Sequence, residues 1–349
     1  MSQKQKSLPA LNSFFSRINY RLWFLCAVLI IISLLIIGLL STKISFFNEL
    51  LGNTPDSGLL TREPFPISVN PMTKTITENP AMTDFFLNHI ASNHTKTAKN
   101  QTWIALLTSK LQTMDWYQNL ASPVSRILVI KSGDRAEQVA NSFSRTLDWN
   151  SDEKTEFTNH VSDGIPSIPD GKFYPGKYVL ASDASPTDAS LIITSRFTNE
   201  ILARYPEEIE AVVPLRDTLI IASLIEREAY DFEDMRYISG VIWNRLFIDM
   251  RLQIDSTLQY VRGGKDDEPW WPVPVPKDKY LNSPYNTYKN KGLPPGPISN
   301  PSIDAIIAAL NPHETDCLFY FHDNSGTFHC TPTYEEHVDL LKEYFGQGK

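Results

Sequence analysis

The sequence predicts an α+β protein in three parts: an N-terminal transmembrane helix, a small αβ module, and a larger mixed α+β domain. Three observations predict it. Residues 22–40, LWFLCAVLIIISLLIIGLL, form a run without a charge, about the length that crosses a ~30 Å hydrocarbon core as a helix. Residues 127–147, ILVIKSGDRAEQVANSFSRTL, pass from an apolar strand through a Ser-Gly-Asp turn into an amphipathic helix. From about residue 190 the apolar spacing turns helical, and loops rich in Pro, Gly and Asn punctuate it. The expected boundaries are 1–21 for a cytoplasmic tail, 22–41 for the span, 42–125 for a membrane-proximal segment, 126–200 for the module and its connector, and 201–349 for the large domain.

Each part has its own justification. Lys4, Lys6, Arg17 and Arg21 precede the apolar run, and Lys43 is the nearby basic residue after it. The positive-inside rule therefore places residues 1–21 in the cytoplasm and the rest beyond the membrane, as a single-pass protein. Tyr20 and Trp23 stand where interfacial aromatics belong. A cleaved signal peptide has a shorter apolar core, about 7–15 residues, followed by a small-x-small site; here the run is longer and STKISFF follows it. Residues 42 to about 100, rich in Asn, Thr, Ser and Pro, read as an irregular stalk, and helical spacing follows at 103–120. In the module, Asp134 is expected to cap a helix whose inner stripe is Ala136, Val139, Ala140 and Phe143. DGKFYPGKYVL at 170–180 is a turn leading into an aromatic strand. A helix then ends at Pro206, and Pro214 opens a long helical stretch that Asp231–Glu233 is expected to break in two.

Composition excludes several functions. A net charge of −8 without any basic stripe argues against nucleic-acid binding, which needs clustered Lys and Arg. Three cysteines are too few for a disulfide scaffold; Cys26 lies in the apolar run, leaving Cys317 and Cys330 as either a bridge or two free thiols. His322, His329 and His337 lie near Cys330 without CxxC or HExxH spacing, so no metal and no other cofactor is expected.

Residues 223–230, SLIEREAY, carry two glutamates one residue apart. At about 100° per residue, Ile221, Leu224 and Ile225 define one apolar stripe, and Glu228 falls within it. Glu226 is displaced by about 200° from Glu228, nearly opposite. A carboxyl on a buried stripe loses hydration and its pKa rises, the condition for a general acid near neutral pH. Periodicity leaves open that Glu228 merely ends the stripe at the surface and pairs with Arg227 or Arg236. If either glutamate is catalytic, the helical phase selects Glu228.

Downstream, Gln253 and Asp255 in RLQIDSTLQY are expected to share one strand face. The proline-stiffened loop SPYNTYKNKGLPPGPISNP (283–301) suits sugar binding, with Tyr faces for pyranose rings and Asn for hydroxyls. ASLIERE, NRL at 244–246, LQIDST, SPYNTY, GLPPGPISNPS and a closing H…TYEEH, in this order, resemble the catalytic domain of the endolytic murein transglycosylases (YceG-like). The resemblance spans roughly residues 127–345. It implies a membrane-anchored bacterial envelope enzyme with a LysM-like module ahead of the catalytic domain. Such an enzyme cleaves nascent peptidoglycan between N-acetylmuramic acid and N-acetylglucosamine, leaving a 1,6-anhydro end. It further implies Glu228 as the catalytic acid and base, action as a terminator of glycan polymerisation, and cell-wall synthases such as penicillin-binding proteins as partners. Asn244, Gln253, Asp255, Tyr285, Asn286, Thr287, Tyr288 and His329 match positions expected to line or support the substrate site. The family's usual D-P-T is Asp255-Ser256-Thr257 here, and the Gly-rich start of the LysM-like module is only partly matched around Ser132-Gly133. A lysozyme-type hydrolase and a non-catalytic peptidoglycan-binding protein are the alternative readings.

Overall fold

Two short strands, β1 (Val69–Asn70) and β2 (Thr75–Ile76), pair antiparallel across a turn that Asn70 Oδ1 closes on the Met72 and Thr73 amides. They belong to a computed structural model that describes residues 63–78, 124–164, 166–265 and 268–346. The apolar run at 22–41 and the helical spacing at 103–120 lie outside the described residues, and no helix within them is long and apolar enough to cross a membrane. Residues 63–78 fall in the stretch expected to be an irregular stalk, yet they pack on the large domain. Phe65 and Val69 join its apolar core, while the Phe65 and Ser68 amides donate to the Arg204 and Leu310 carbonyls.

The module is built from β3 (Ser125–Ile130), α1 (Ala136–Thr146), α2 (Ser151–Ser162) and β4 (Gly176–Ala181), with β3 and β4 antiparallel in the register Ile127↔Val179. The α1 stripe is as expected: Ala136, Val139, Ala140 and Phe143 are all buried. Phe143 stacks on Phe157 of α2 with centroids 5.0 Å apart, and Phe157 meets Phe173 edge-on, so an aromatic row fills this small core. Asp134 does not cap α1. Its carboxylate closes the preceding turn by accepting from the Lys131 amide, and the distant Asp170 accepts from the Ala136 amide at 2.6 Å instead. The next helix, α3 (Pro186–Glu200), starts on a Ser185 cap, with Pro186 at its first position, where no backbone donor is needed.

The large domain continues through α4 (Glu207–Glu210), α5 (Leu215–Glu228), α6 (Phe232–Phe247), α7 (Asp255–Arg262), α8 (Ile303–Leu310), β5 (Phe319–His322), β6 (Phe328–Thr331) and α9 (Tyr334–Phe345). The long helical stretch does break where expected. The α5 helix ends at Glu228, and Asp231 caps α6 by accepting from the Asp234 amide. From Leu219 to Ile225 the α5 helix is buried on every side, because α6, α7 and α8 all pack against it. The β5–β6 hairpin is tied across its base by the Cys317–Cys330 disulfide, which settles the choice left open for these thiols.

A second expectation is corrected here. Gln253 and Asp255 do not share a strand face, because Gln253 adopts a left-handed φ of +50° and Asp255 is the first residue of α7. Long-range bonds override the local alternation: the Gln253 and Ile254 amides donate to the Thr287 carbonyl and hydroxyl, and the Thr257 hydroxyl donates to the Ile254 carbonyl.

Asn300, fully buried, joins module to large domain through every polar atom it has. Its Oδ1 accepts from the Gly171 and Phe173 amides, its Nδ2 and backbone N donate to the Asp134 carbonyl, and its own carbonyl accepts from Gly133. Gly133 sits at φ +78°, a backbone conformation that L side chains rarely adopt, so this approach favours glycine. Beside it, the Arg135 guanidinium lies 4.1 Å over the Tyr260 ring and donates to the Tyr260 and Gly263 carbonyls at the end of α7. Tyr260 in turn donates its hydroxyl to Asp170.

Burial, helped by the Glu137 charge, raises the Asp170 carboxyl from 3.8 to about 7, against the pull of the Ala136 amide, the Tyr260 hydroxyl and Arg135. Between pH 3.8 and about 7 the folded chain keeps a proton that the unfolded chain releases, so this group's contribution to stability declines as pH rises through that window. The decline amounts to at most about 4 kcal/mol. Asp170→Asn is expected to remove it: urea unfolding at pH 5 and pH 8 should show wild type losing stability relative to the variant as pH rises.

Candidate active site

Glu228 is the last residue of α5, where the buried run of that helix reaches solvent. Its Oε1 accepts from the Ser256 amide at 3.1 Å, and its Oε2 accepts from the Tyr320 hydroxyl at 3.2 Å. The residue is only partly exposed and protein surrounds its carboxyl, so burial pushes the pKa up. The Ser256 hydroxyl and amide oppose that rise, the Asp255 charge adds to it, and the Tyr320 hydroxyl opposes it weakly. Helix ends act in the same two directions. The C-terminus of α5 disfavours an anion at Glu228, while the N-terminus of α7 points donors at it. Glu226 faces elsewhere, as the helical phase requires. It accepts from the Ser302 amide and hydroxyl at 2.9 and 2.6 Å, fixing the start of α8.

The other expected site residues separate into two groups. Asp255 and Tyr288 adjoin Glu228: the Tyr288 hydroxyl donates to Asp255 Oδ1 at 2.6 Å, and both groups act electrostatically on or with the Glu228 carboxylate. Gln253 is exposed on the turn leading into α7. Thr287 is buried beneath that turn and holds it in place. Asn286 is fully buried and organises its own loop, donating to the Lys279 and Leu281 carbonyls and accepting from the Tyr288 amide. Tyr285 packs 4.8 Å from Tyr260, at the module junction. Asn244 donates to the Thr315 and Cys317 carbonyls, tethering the segment before β5. His329 pairs across the hairpin with Phe321, on the face opposite Tyr320. There it lies 2.9 Å from Asp323 and packs against Tyr344 of α9.

Sequence reasoning missed Tyr320, Arg245 and the amide of Ser256 as parts of this site. Tyr320 lies 92 residues from Glu228, and no local pattern announces it beyond an aromatic in a short strand. Arg245 is buried and donates to the Leu318 carbonyl at 2.6 Å and to the Leu252 carbonyl, so one guanidinium holds the approaches to both partners of Glu228. Next to them, Asp234 lies 3.1 Å from His322, and the exposed Tyr230 ring meets His322 edge-on. Among the described residues no group of three or more His, Cys, Asp or Glu side chains is placed to hold a metal ion. Tyr320→Phe removes the donor to Oε2 and is expected to raise the Glu228 pKa further, which a ¹³C-carboxyl NMR titration of wild type and variant would measure.

A carboxyl of raised pKa, held between a helix N-terminus and a tyrosine hydroxyl in an α+β core, has the environment that general-acid catalysis requires. A family model described as YceG-like matches residues 72–343, and the chain belongs to that family. It is 34% identical over 176 residues to the endolytic murein transglycosylase of Bacillus subtilis, covering 50% of this chain and 48% of that protein. It is 37% identical over 131 residues to the endolytic murein transglycosylase of Streptococcus pneumoniae, covering 37% of this chain and 24% of that protein. The matches therefore span about half of the first relative's length and about a quarter of the second's. A crystal structure of a yceG-like protein from Listeria monocytogenes superposes with a TM-score of 0.53 at 30% identity, covering 61% of this chain and 75% of that one.

Proposed function

We propose that this chain is a lytic transglycosylase that cleaves peptidoglycan glycan strands, with Glu228 as its general acid and base. The observation that carries the reading is the Glu228 carboxyl itself, raised by burial and fixed by donors on both oxygens. The names of its curated relatives supply the substrate class.

In the reaction, protonated Glu228 gives its proton to the oxygen linking N-acetylmuramic acid C1 to N-acetylglucosamine. The C1–O bond breaks and the N-acetylglucosamine hydroxyl leaves. The muramyl 6-hydroxyl then attacks C1, and its proton returns to Glu228. A 1,6-anhydro ring results, the carboxyl is regenerated, and no water is consumed. One carboxyl suffices for both steps, whereas a hydrolase normally uses a second carboxylate as nucleophile or base. Asp255 is the specific observation favouring that second reading, since its charge reaches Glu228. Its bond to the Tyr288 hydroxyl supports a positioning role instead.

The finer features belong to the same proposal. The chain is anchored by residues 22–41 with its working domains outside the cytoplasm, and the Cys317–Cys330 bridge suits an oxidising compartment there. The module is LysM-like, a reading supported by its two helices between antiparallel strands. The enzyme ends nascent strands beside the synthases that make them, penicillin-binding proteins among them. Digestion of glycan in ¹⁸O-water tests the chemistry. The proposal expects no label in the new ends, and one ¹⁸O per cleavage would establish hydrolysis.

A further inference from the structure

Ser256 is the second residue of α7, and its amide hydrogen is one that the helix itself leaves without a backbone acceptor. That amide reaches Glu228 Oε1 at 3.1 Å. The Ser256 side chain is buried, and its hydroxyl has no hydrogen-bond partner among the described residues, so the amide is the donor that holds Glu228 here. Both the hydroxyl and the amide pull the same carboxyl's pKa down. Proline, which the D-P-T pattern carries here, has neither donor.

We propose that Ser256 is a positioning and tuning residue for Glu228, stabilising the carboxylate that forms each time the proton is given to the leaving oxygen. The proposal rests on reading Glu228 as the general acid. A donor aimed at the anionic form strengthens as charge develops, so it lowers the barrier to proton release. The same donor makes the free carboxyl ionise at lower pH, and the active window closes earlier on the alkaline side. A chain with serine here thus exchanges alkaline range for rate. The remaining groups that act on Glu228 are Asp255 on α7, Tyr288 on the 283–301 loop, Tyr320 on β5 and the neighbouring Arg227.

Two substitutions separate the donors. Ser256→Ala removes the hydroxyl and keeps the amide, whereas Ser256→Pro removes both at a first-turn position that tolerates proline. Ser256→Pro is expected to lower kcat about tenfold, with KM nearly unchanged, and to move the alkaline limb upward. Ser256→Ala should shift both in the same direction by less. A pH profile of Ser256→Pro that superimposes on wild type would overturn the proposal. A measurement without substitution at 256 keeps the test valid even if the proline variant fails to fold. In the full chain labelled with ¹⁵N-serine and side-chain ¹³C-glutamate, the Ser256 amide proton should move downfield as Glu228 ionises, with a common midpoint. The shift should vanish in Glu228→Gln. A Ser256 amide that ignores the Glu228 titration would refute the proposal even if Glu228→Gln is inactive. An amide that follows it in an enzyme where Glu228→Gln remains active would support the link and overturn the reading of Glu228 instead.

Discussion

Replacing Glu228 by glutamine is expected to lower kcat on peptidoglycan glycan by about 10³–10⁴-fold with the fold intact. The amide keeps the local geometry: its oxygen can still accept from the Ser256 amide, and its nitrogen can face the Tyr320 hydroxyl. What it loses is the proton. General acid–base catalysis by one group is worth roughly 10²–10⁴. Here the same carboxyl is asked to serve both the breaking and the closing step, so the upper part of that range applies. Because glutamine keeps the Ser256 contact and its NH2 can donate to the Tyr320 oxygen in place of the bond it accepted, KM should change little and the variant should stay folded in thermal unfolding. A variant that is inactive because it is unfolded would be visible in that second measurement.

Arg245→Met is the second large effect, and it falls on stability. The guanidinium is buried, donates to the Leu318 and Leu252 carbonyls, and lies 5.3 Å over the Phe319 ring. Methionine fills much of the volume but leaves the buried Leu252 carbonyl and the partly buried Leu318 carbonyl without this donor, each worth about 1–3 kcal/mol, the second toward the lower end. The loss of the ring contact adds to this. A total of about 3–4 kcal/mol is expected, which for a domain of this size lowers Tm by roughly 10 °C. Activity should fall with it, since Leu318 leads into the strand carrying Tyr320 and Leu252 leads into α7. Calorimetry on the variant checks the first number. Partial recovery of activity on cooling would distinguish loosening of the site from loss of its chemistry.

What was legible in the sequence depended on how far apart the interacting residues lie. The α1 stripe and the break between α5 and α6 were readable because apolar spacing and caps act within a few residues. The opposed facing of Glu226 and Glu228 followed from helical phase alone, and Ser302 taking up Glu226 agrees with it. The cap of α1 was misassigned because Asp134 is the near acid and Asp170 is 34 residues away from the amide it serves. Gln253 and Asp255 looked like a strand because they alternate with apolar residues. Thr287, 33 residues on, supplies the bond that turns the chain into a helix there. The donors on Glu228 come from 28 and 92 residues away, so neither periodicity nor spacing could reach them. Helical phase and resemblance selected the same candidate acid and the stripe predicted its burial, but the groups that act on its carboxyl, Ser256, Asp255 and Tyr320, came only with tertiary packing.

The central claim is that Glu228 performs cleavage and ring closure without water. Its most direct test is mass spectrometry of glycan fragments released by wild type and by Glu228→Gln under identical conditions. The account predicts 1,6-anhydromuramyl ends from wild type and no fragments above background from the variant. Reducing muramyl ends from wild type, or undiminished anhydromuramyl products from Glu228→Gln, would contradict it.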